Sequence, residues 1–340
     1  MSADDSAVPH PRETLTLHGH VEAEHAFLDA YRGGRMPHAW LVGGARGIGK
    51  ATLAYRMARF VFAHPDPAIP AVQNAESLAL PADNPVVRRV AAQGHSDLLA
   101  LERVEDDKGK MSTVIPVDMV RKTIGFFGST AGEGGWRVCI VDSADELNAA
   151  GANALLKILE EPPAKCLLLV VSHAPGRLLP TIRSRCRRLA LRPLSPEDVA
   201  RSLADALRRD AGESDIKAAA TASDGSVARA LDLLGGTALK VREQVNTLLG
   251  ALPTVNPRDL HALGDALGRD ESAFAAFVDA VRDWLSARVT AARAEPSRLA
   301  RFAEVWDRLN KAARDVEIFH LERKPMVFNV FGWLAEASRG

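Results

Sequence analysis

Residues 38–50 read His38-Ala39-Trp40-Leu41-Val42-Gly43-Gly44-Ala45-Arg46-Gly47-Ile48-Gly49-Lys50. The first five are a short apolar run of the kind that forms a buried strand. It passes directly into a glycine-rich turn, and a helical pattern then continues through Phe62. The stretch from Gly44 to Lys50 matches GxxxxGK in the strand–loop–helix context that a phosphate-binding loop requires. Gly44, Gly47 and Gly49 let the backbone curl so that several N–H groups point at phosphate oxygens, and the helix N-terminus adds partial positive charge. Lys50 is spaced to reach the β- and γ-phosphates. The following residue breaks the pattern: a serine or threonine there would ligate magnesium, and this chain has Ala51. Thr52 comes one position later, about 100° round a helix, and does not take over that role. The expected ligand is ATP or ADP without normal magnesium ligation. A glycine-rich turn that holds no nucleotide is the plainer alternative.

Further along, residues 138–142 form an apolar strand closed by Asp142. This is the pattern of a Walker B strand, unless Asp142 merely caps a turn. In active ATPases of this type a glutamate follows and polarises the attacking water. Here the next residue is Ser143, which cannot act as a base near neutral pH. Asp145 and Glu146 lie too far along to fill that slot without a rearranged loop.

The surrounding chain alternates strands and helices. A helical pattern over residues 13–35 puts Ala23, Phe27, Leu28 and Tyr31 on one face. Residues 63–95 are a proline- and alanine-rich excursion with some helix. A strand is expected at 98–104, a turn at 105–110 and a return strand at 112–115. Pro116 then takes the first position of a helix over 117–127. Strands follow at 136–142 and 166–171, separated by a helix at 149–160 that stops at Pro162-Pro163. This alternation predicts a parallel α/β sheet. After Arg188 the strand signals fade. Ser195, followed by Pro196, Glu197 and Asp198, starts a helix. Short helices run to Gly235-Gly236, and from Thr237 the pattern stays helical with breaks at Pro253, Pro257, Pro296 and Pro325. The expected division is an α/β domain over 1–192, a small helical domain over 193–237 and an all-helical domain over 238–340.

Composition excludes several classes. Lysine plus arginine equals aspartate plus glutamate at 43 each, which rules out a strongly basic nucleic-acid coat but not a local basic groove. Cys139, Cys166 and Cys186 form no CxxC pair, and the histidines show no ligand spacing. No zinc site or disulfide framework is expected, only buried free thiols in a reducing compartment. The N-terminus has no apolar signal segment, and the longest aliphatic run, residues 167–171, is too short to span a bilayer. A cytoplasmic protein is expected.

Longer motifs add a resemblance. Asn153-Ala154-Leu155-Leu156-Lys157-Ile158-Leu159-Glu160-Glu161-Pro162-Pro163 is similar to the NALLKxLEEPP helix of clamp-loader subunits, and Ser184-Arg185-Cys186 matches their SRC motif. Pro37-His38-Ala39-Trp40-Leu41 and Ile115-Pro116-Val117-Asp118-Met119-Val120-Arg121 are similar to family segments as well. The chain thus resembles bacterial replicative clamp-loader subunits of the AAA+ class over residues 15–190. Within that family it sides with the stator-like delta-prime branch. Ala51 replaces the metal-binding hydroxyl and Ser143 the catalytic glutamate. Ala228, in Gly225-Ser226-Val227-Ala228-Arg229-Ala230-Leu231, replaces the sensor-2 arginine. Arg229 is one step round the helix and points elsewhere.

The resemblance implies an AAA+ P-loop domain, a helical lid and an all-α collar. It implies that Arg185 is an arginine finger acting in trans on a neighbouring motor subunit, where an ordinary ion-paired arginine is the alternative. It places Ser172-His173 at the sensor-1 position, where a plain polar pair at a strand end is the alternative. It implies partners: tau/gamma motor and delta subunits in a five-membered ring, the sliding clamp, and primer–template DNA bound without sequence readout, with no membrane. The whole would belong to a DNA-directed DNA polymerase, a nucleotidyltransferase, to which this chain contributes no ATPase of its own. Two rivals stay open: a catalytically active AAA+ ATPase of the motor type, and an adaptor that never binds nucleotide. The family's four-cysteine zinc module has no counterpart, since residues 51–138 contain no cysteine.

Overall fold

The computed structural model describes residues 8–104, 112, 114–128, 131–132, 135–234, 237–268, 270–291, 296–319 and 321–339. The turn expected at 105–110 and the Gly235-Gly236 break lie outside these. The chain divides into two compact units, Met1–Ala228 and Arg229–Gly340.

The first unit is built on five parallel strands: β1 (Ala39–Gly43), β2 (Leu98–Glu102), β3 (Arg137–Asp142), β4 (Cys166–Ser172) and β5 (Arg187–Ala190). Their order across the sheet is β2-β3-β4-β1-β5. β1 and β4 are buried along their whole length, which is why they read as continuous apolar runs. Helices α1 (Val21–Arg32), α2 (Lys50–Ala63), α3 (Pro70–Gln73) and α4 (Pro85–Ala91) precede β2, and α5 (Val117–Gly128) precedes β3. Then come α6 (Ala149–Glu160), α7 (Pro180–Arg185), α8 (Pro196–Leu207), α9 (Ser214–Ala222) and α10 (Val227–Leu234), the last of which contains the division between units.

Successive strand residues point to opposite faces of a sheet, and two cores result. Trp40, Val42, Ile140, Leu169 and Val171 pack with Phe27, Leu28, Tyr31, Tyr55 and Phe60 of α1 and α2. Ala39, Leu41, Cys139, Val141, Leu168 and Val170 pack with Val120, Phe127, Leu155, Leu159 and Ile182 of α5, α6 and α7. All three cysteines are free and buried in the second core, and burial pushes the Cys166 thiol up to about 12 and Cys186 up to about 11.

The second unit is all helical: α11 (Thr237–Gly250), α12 (Pro257–Leu267), α13 (Glu271–Ala291), α14 (Pro296–Phe319) and α15 (Arg323–Arg339). Phe274, Phe277, Val281 and Leu285 of α13 meet Phe302, Val305 and Leu309 of α14 and Val327, Val330, Phe331 and Leu334 of α15 in one core. The fold class is the one expected to the extent that an α/β domain on a parallel sheet is followed by helices. Among the described residues no helix is long and apolar enough to cross a membrane.

Several boundaries differ from expectation. The first helix spans Val21–Arg32 rather than 13–35, because Gly19 and His20 take left-handed φ values of 69° and 58° just before it. The segment ahead is held by two buried arginines of α2. Arg59 Nη2 donates to the Thr14 carbonyl at 2.7 Å, and Arg56 donates to the Leu15 carbonyl. Among the described residues of 112–115 no strand forms. Ser112 N–H bonds the Val104 carbonyl, and Ile115 makes an isolated bridge to Leu147. Pro116 stands just before α5 rather than at its first position, its carbonyl accepting from Met119 and Val120. The fifth strand is Arg187–Ala190, and 166–171 is the fourth in chain order. Pro325 does not break a helix: α15 begins at Arg323, so this proline falls in a first turn, where its missing N–H costs nothing.

Arg56 and Glu24 form a buried ion pair of 2.6 Å with side chains 7% and 9% exposed. Removing one partner strands a buried charge, so Glu24→Ala is expected to cost about 3–5 kcal/mol of stability in denaturant unfolding. Glu24→Gln, which keeps an acceptor, costs less. A loss under ~1 kcal/mol for Glu24→Ala would show the pair to be dispensable.

Candidate nucleotide-binding site

In a parallel sheet all strand C-termini share one edge, and ligands gather there. β1 lies between β4 and β5, with Val42 opposite both Val171 and Leu189. The loop after β1 therefore emerges beside Ser172 at the end of β4, and the Gly44 N–H donates to the Ser172 carbonyl at 3.3 Å. Gly44, Gly47 and Gly49 have φ values of 152°, 76° and 92°, and the last two are the left-handed values that a curling loop needs and that glycine supplies.

Three carbonyls of this loop are engaged by the protein itself. The Lys50 ammonium donates to the Ala45 carbonyl. Val227 N–H, at the start of α10, donates to the Gly47 carbonyl at 2.8 Å. His20 Nε2 bonds the Ile48 carbonyl at 2.7 Å. A Cβ on Gly47 would collide with the Ser226 hydroxyl and with Ala228. Ala228 thus sets its methyl group against Gly47 of the loop. Arg229 turns to acids of α13, with Nη2 2.5 Å from Asp283 Oδ2 and Nε 3.7 Å from Asp279.

Lys50 is 3% exposed. Burial pushes its ammonium down to about 8, against the pull of Asp142 and Asp145. Asp142 is paired in register with Glu102. Burial, then the nearby Glu102 and Glu146, push its carboxyl up to about 6. Burial also raises Glu102, but hydrogen bonds from His10 and from Tyr55 outweigh it and hold this carboxyl below its ordinary value. The Tyr55 hydroxyl donates to Glu102 at 2.6 Å. Ser143 is 2% exposed, and its hydroxyl has no hydrogen-bond partner among the described residues.

Asp145 is the residue that sequence spacing undervalued. A 3-10 turn over Ala144–Glu146 swings its carboxylate onto the end of β4. There it accepts from Ser172 Oγ at 3.0 Å and from the N–H groups of His173 and Ala174 at 2.5 and 3.0 Å. A carboxylate holding three donors is tied down as a strut and is poorly placed to activate water. Burial, then Lys50, lowers the His173 imidazole below its ordinary value.

Ala51 and Thr52 are half-buried in the first turn of α2. Phosphate fits the arrangement, with Lys50 and a left-handed glycine loop in place. Magnesium fits less well, because Ala51 offers no oxygen where a ligating hydroxyl would stand. Arg185 is not part of this cradle. It closes α7, and its guanidinium meets Glu160 Oε1 and the Thr181 carbonyl, each at 3.1 Å.

The family model described as DNA polymerase III, delta subunit, matches residues 19–195. The chain is 40% identical over 156 residues to DNA polymerase III subunit delta' of Pseudomonas aeruginosa, covering 45% of this chain and 43% of that one. It is 33% identical over 247 residues to subunit delta' of Escherichia coli, covering 72% and 67%. Subunit tau of Bacillus subtilis is 28% identical over 218 residues, covering 62% and 36%. The matched stretch is less than half of the Pseudomonas relative and about two thirds of the Escherichia one. With its phosphate loop, Asp142 strand and SRC arginine all inside the matched region, this chain belongs to the DNA polymerase III delta subunit family, on the delta' branch.

Proposed function

We propose that this protein is a stator-like subunit of the DNA polymerase III clamp loader. It would complete a five-membered ring with tau/gamma motor and delta subunits and help load the sliding clamp at primer–template junctions. In this reading the first unit comprises the P-loop domain (1–192) and most of a lid (193–237), and residues 238–340 form the collar. The chain hydrolyses no ATP itself and supplies Arg185 in trans to a neighbouring motor subunit. The relatives' names support the complex, and the chemistry supports the division of labour.

The observation that carries the proposal is the state of the cradle. A hydrolytic site needs a metal-binding hydroxyl, a water-activating carboxylate and a cation over the γ-phosphate. Here those positions hold Ala51, Ser143 and Ala228. The two groups that could substitute are occupied: Asp145 holds three donors at β4, and Arg229 is paired to Asp283. Arg185 differs, because its side chain is 36% exposed on the unit's surface. A planar, permanently charged fork suits a phosphoryl group better than a lysine would. Any nucleotide in the cradle is held through Lys50 and loop N–H groups without magnesium.

Two outcomes are expected. In equilibrium titration the isolated chain binds ATP with an affinity that magnesium does not raise, and it shows no steady turnover. Binding weakens by up to about tenfold from pH 7 to 9, because the anion prefers charged Lys50 and this ammonium titrates near 8. Turnover that Lys50→Ala abolishes would instead mark an active ATPase, and absence of any binding would mark a pure adaptor.

In the reconstituted assembly, Arg185→Ala is expected to leave folding intact and to lower DNA-stimulated ATPase by at least about threefold, through the site it serves. Full activity in that variant would remove the finger role.

A further inference from the structure

We infer that Glu160 is the positioning residue of Arg185, an inference that rests on the trans-acting role proposed above. The guanidinium is held at two points. Nη1 donates to the Thr181 carbonyl at 3.1 Å, and Nη2 lies 3.1 Å from Glu160 Oε1. Each anchor is mounted on an element fixed to the sheet. Thr181 precedes Ile182, which is 1% exposed in the core beneath α7. Glu160 ends α6, whose Leu155, Ile158 and Leu159 are buried in that same core. Asn148 caps the other end of α6, accepting from Gly151 N–H at 2.8 Å. That cap lies two residues past the 3-10 turn in which Asp145 grips β4. One packed helix of 12 residues, about 18 Å long, thus runs from the acid end of this subunit's own cradle to the carboxylate on the finger.

The physical consequence is preorganisation. An unrestrained arginine samples many rotamers, and a group that acts only in the transition state is more effective when that search is already complete. A guanidinium has five N–H donors, and the two anchors use two of them. The remaining donors are free to meet a phosphoryl oxygen while the anchors persist. The Glu160 side chain is 51% exposed, so water screens its charge. It holds the geometry of the cation without cancelling it. Had Glu160 been a latch competing with the phosphate, its removal would release the finger and raise activity. Positioning carries the opposite sign.

The test uses the full assembly with primed DNA. Glu160→Ala is expected to lower kcat for ATP by about threefold, the range open to one exposed ion pair, with KM for ATP unchanged. Glu160→Gln keeps an acceptor for Nη2 and is expected to retain more than half of the lost activity. In an Arg185→Ala background, Glu160→Ala is expected to have no further effect. Assembly mass checks that each variant still enters the ring, which separates lost positioning from lost folding. A rise in kcat, an effect on KM alone, or a loss that persists without Arg185 would overturn the positioning role. So would an unchanged kcat in Glu160→Ala where Arg185→Ala is impaired. If Arg185→Ala itself is unimpaired, the finger role fails and the positioning role goes with it.

Discussion

The parallel pairing of β1 between β4 and β5 is the constraint from which the rest follows. β1 and β4 are buried along their whole length, and Trp40 lies opposite both Leu169 and Arg187. Because every strand runs the same way, the phosphate loop, Asp142 and Ser172 must emerge along one edge. The same pairing fixes where α7 enters β5, and so where Arg185 stands. Displacing β1 would move the cradle and the arginine together.

Within that frame, the groups of the cradle interact largely with one another. Lys50 bonds its own loop, Asp145 braces β4, and the start of α10 bonds Gly47. Hydrolysis depends on interactions made in the transition state. In the function proposed above, Ala51, Ser143 and Ala228 do not make them, and Arg185 on its surface helix makes one for a neighbour.

Much of this was legible in the sequence, for physical reasons. The glycine spacing of Gly44, Gly47 and Gly49 and the buried runs of β1 and β4 left few alternatives, since only a strand–loop–helix satisfies both. The face formed by Ala23, Phe27, Leu28 and Tyr31 was equally plain, and all four are buried. β5 was missed because an edge strand exposes charge: Arg187, Arg188 and Ala190 face solvent and only Leu189 is buried, so no alternation stands out. The start of α1 was misplaced because the contacts that hold residues 12–15 come from Arg56 and Arg59, remote in sequence. Asp145 and Glu160 were undervalued for a related reason. Their partners, at Ser172 and Arg185, become neighbours only once the sheet has formed. Local pattern reports what a segment does alone, and these residues act across segments.

The central claim is that this subunit's own cradle contributes nothing to turnover, and one measurement addresses it directly. Lys50→Ala is introduced into this chain, the complete clamp loader is assembled with otherwise unaltered motor subunits, and steady-state ATP hydrolysis is measured on primed DNA. Turnover within about twofold of the unaltered assembly is predicted, since Lys50 here serves only a non-hydrolysing site. A fall as deep as that caused by removing a motor subunit's phosphate-loop lysine would contradict the account.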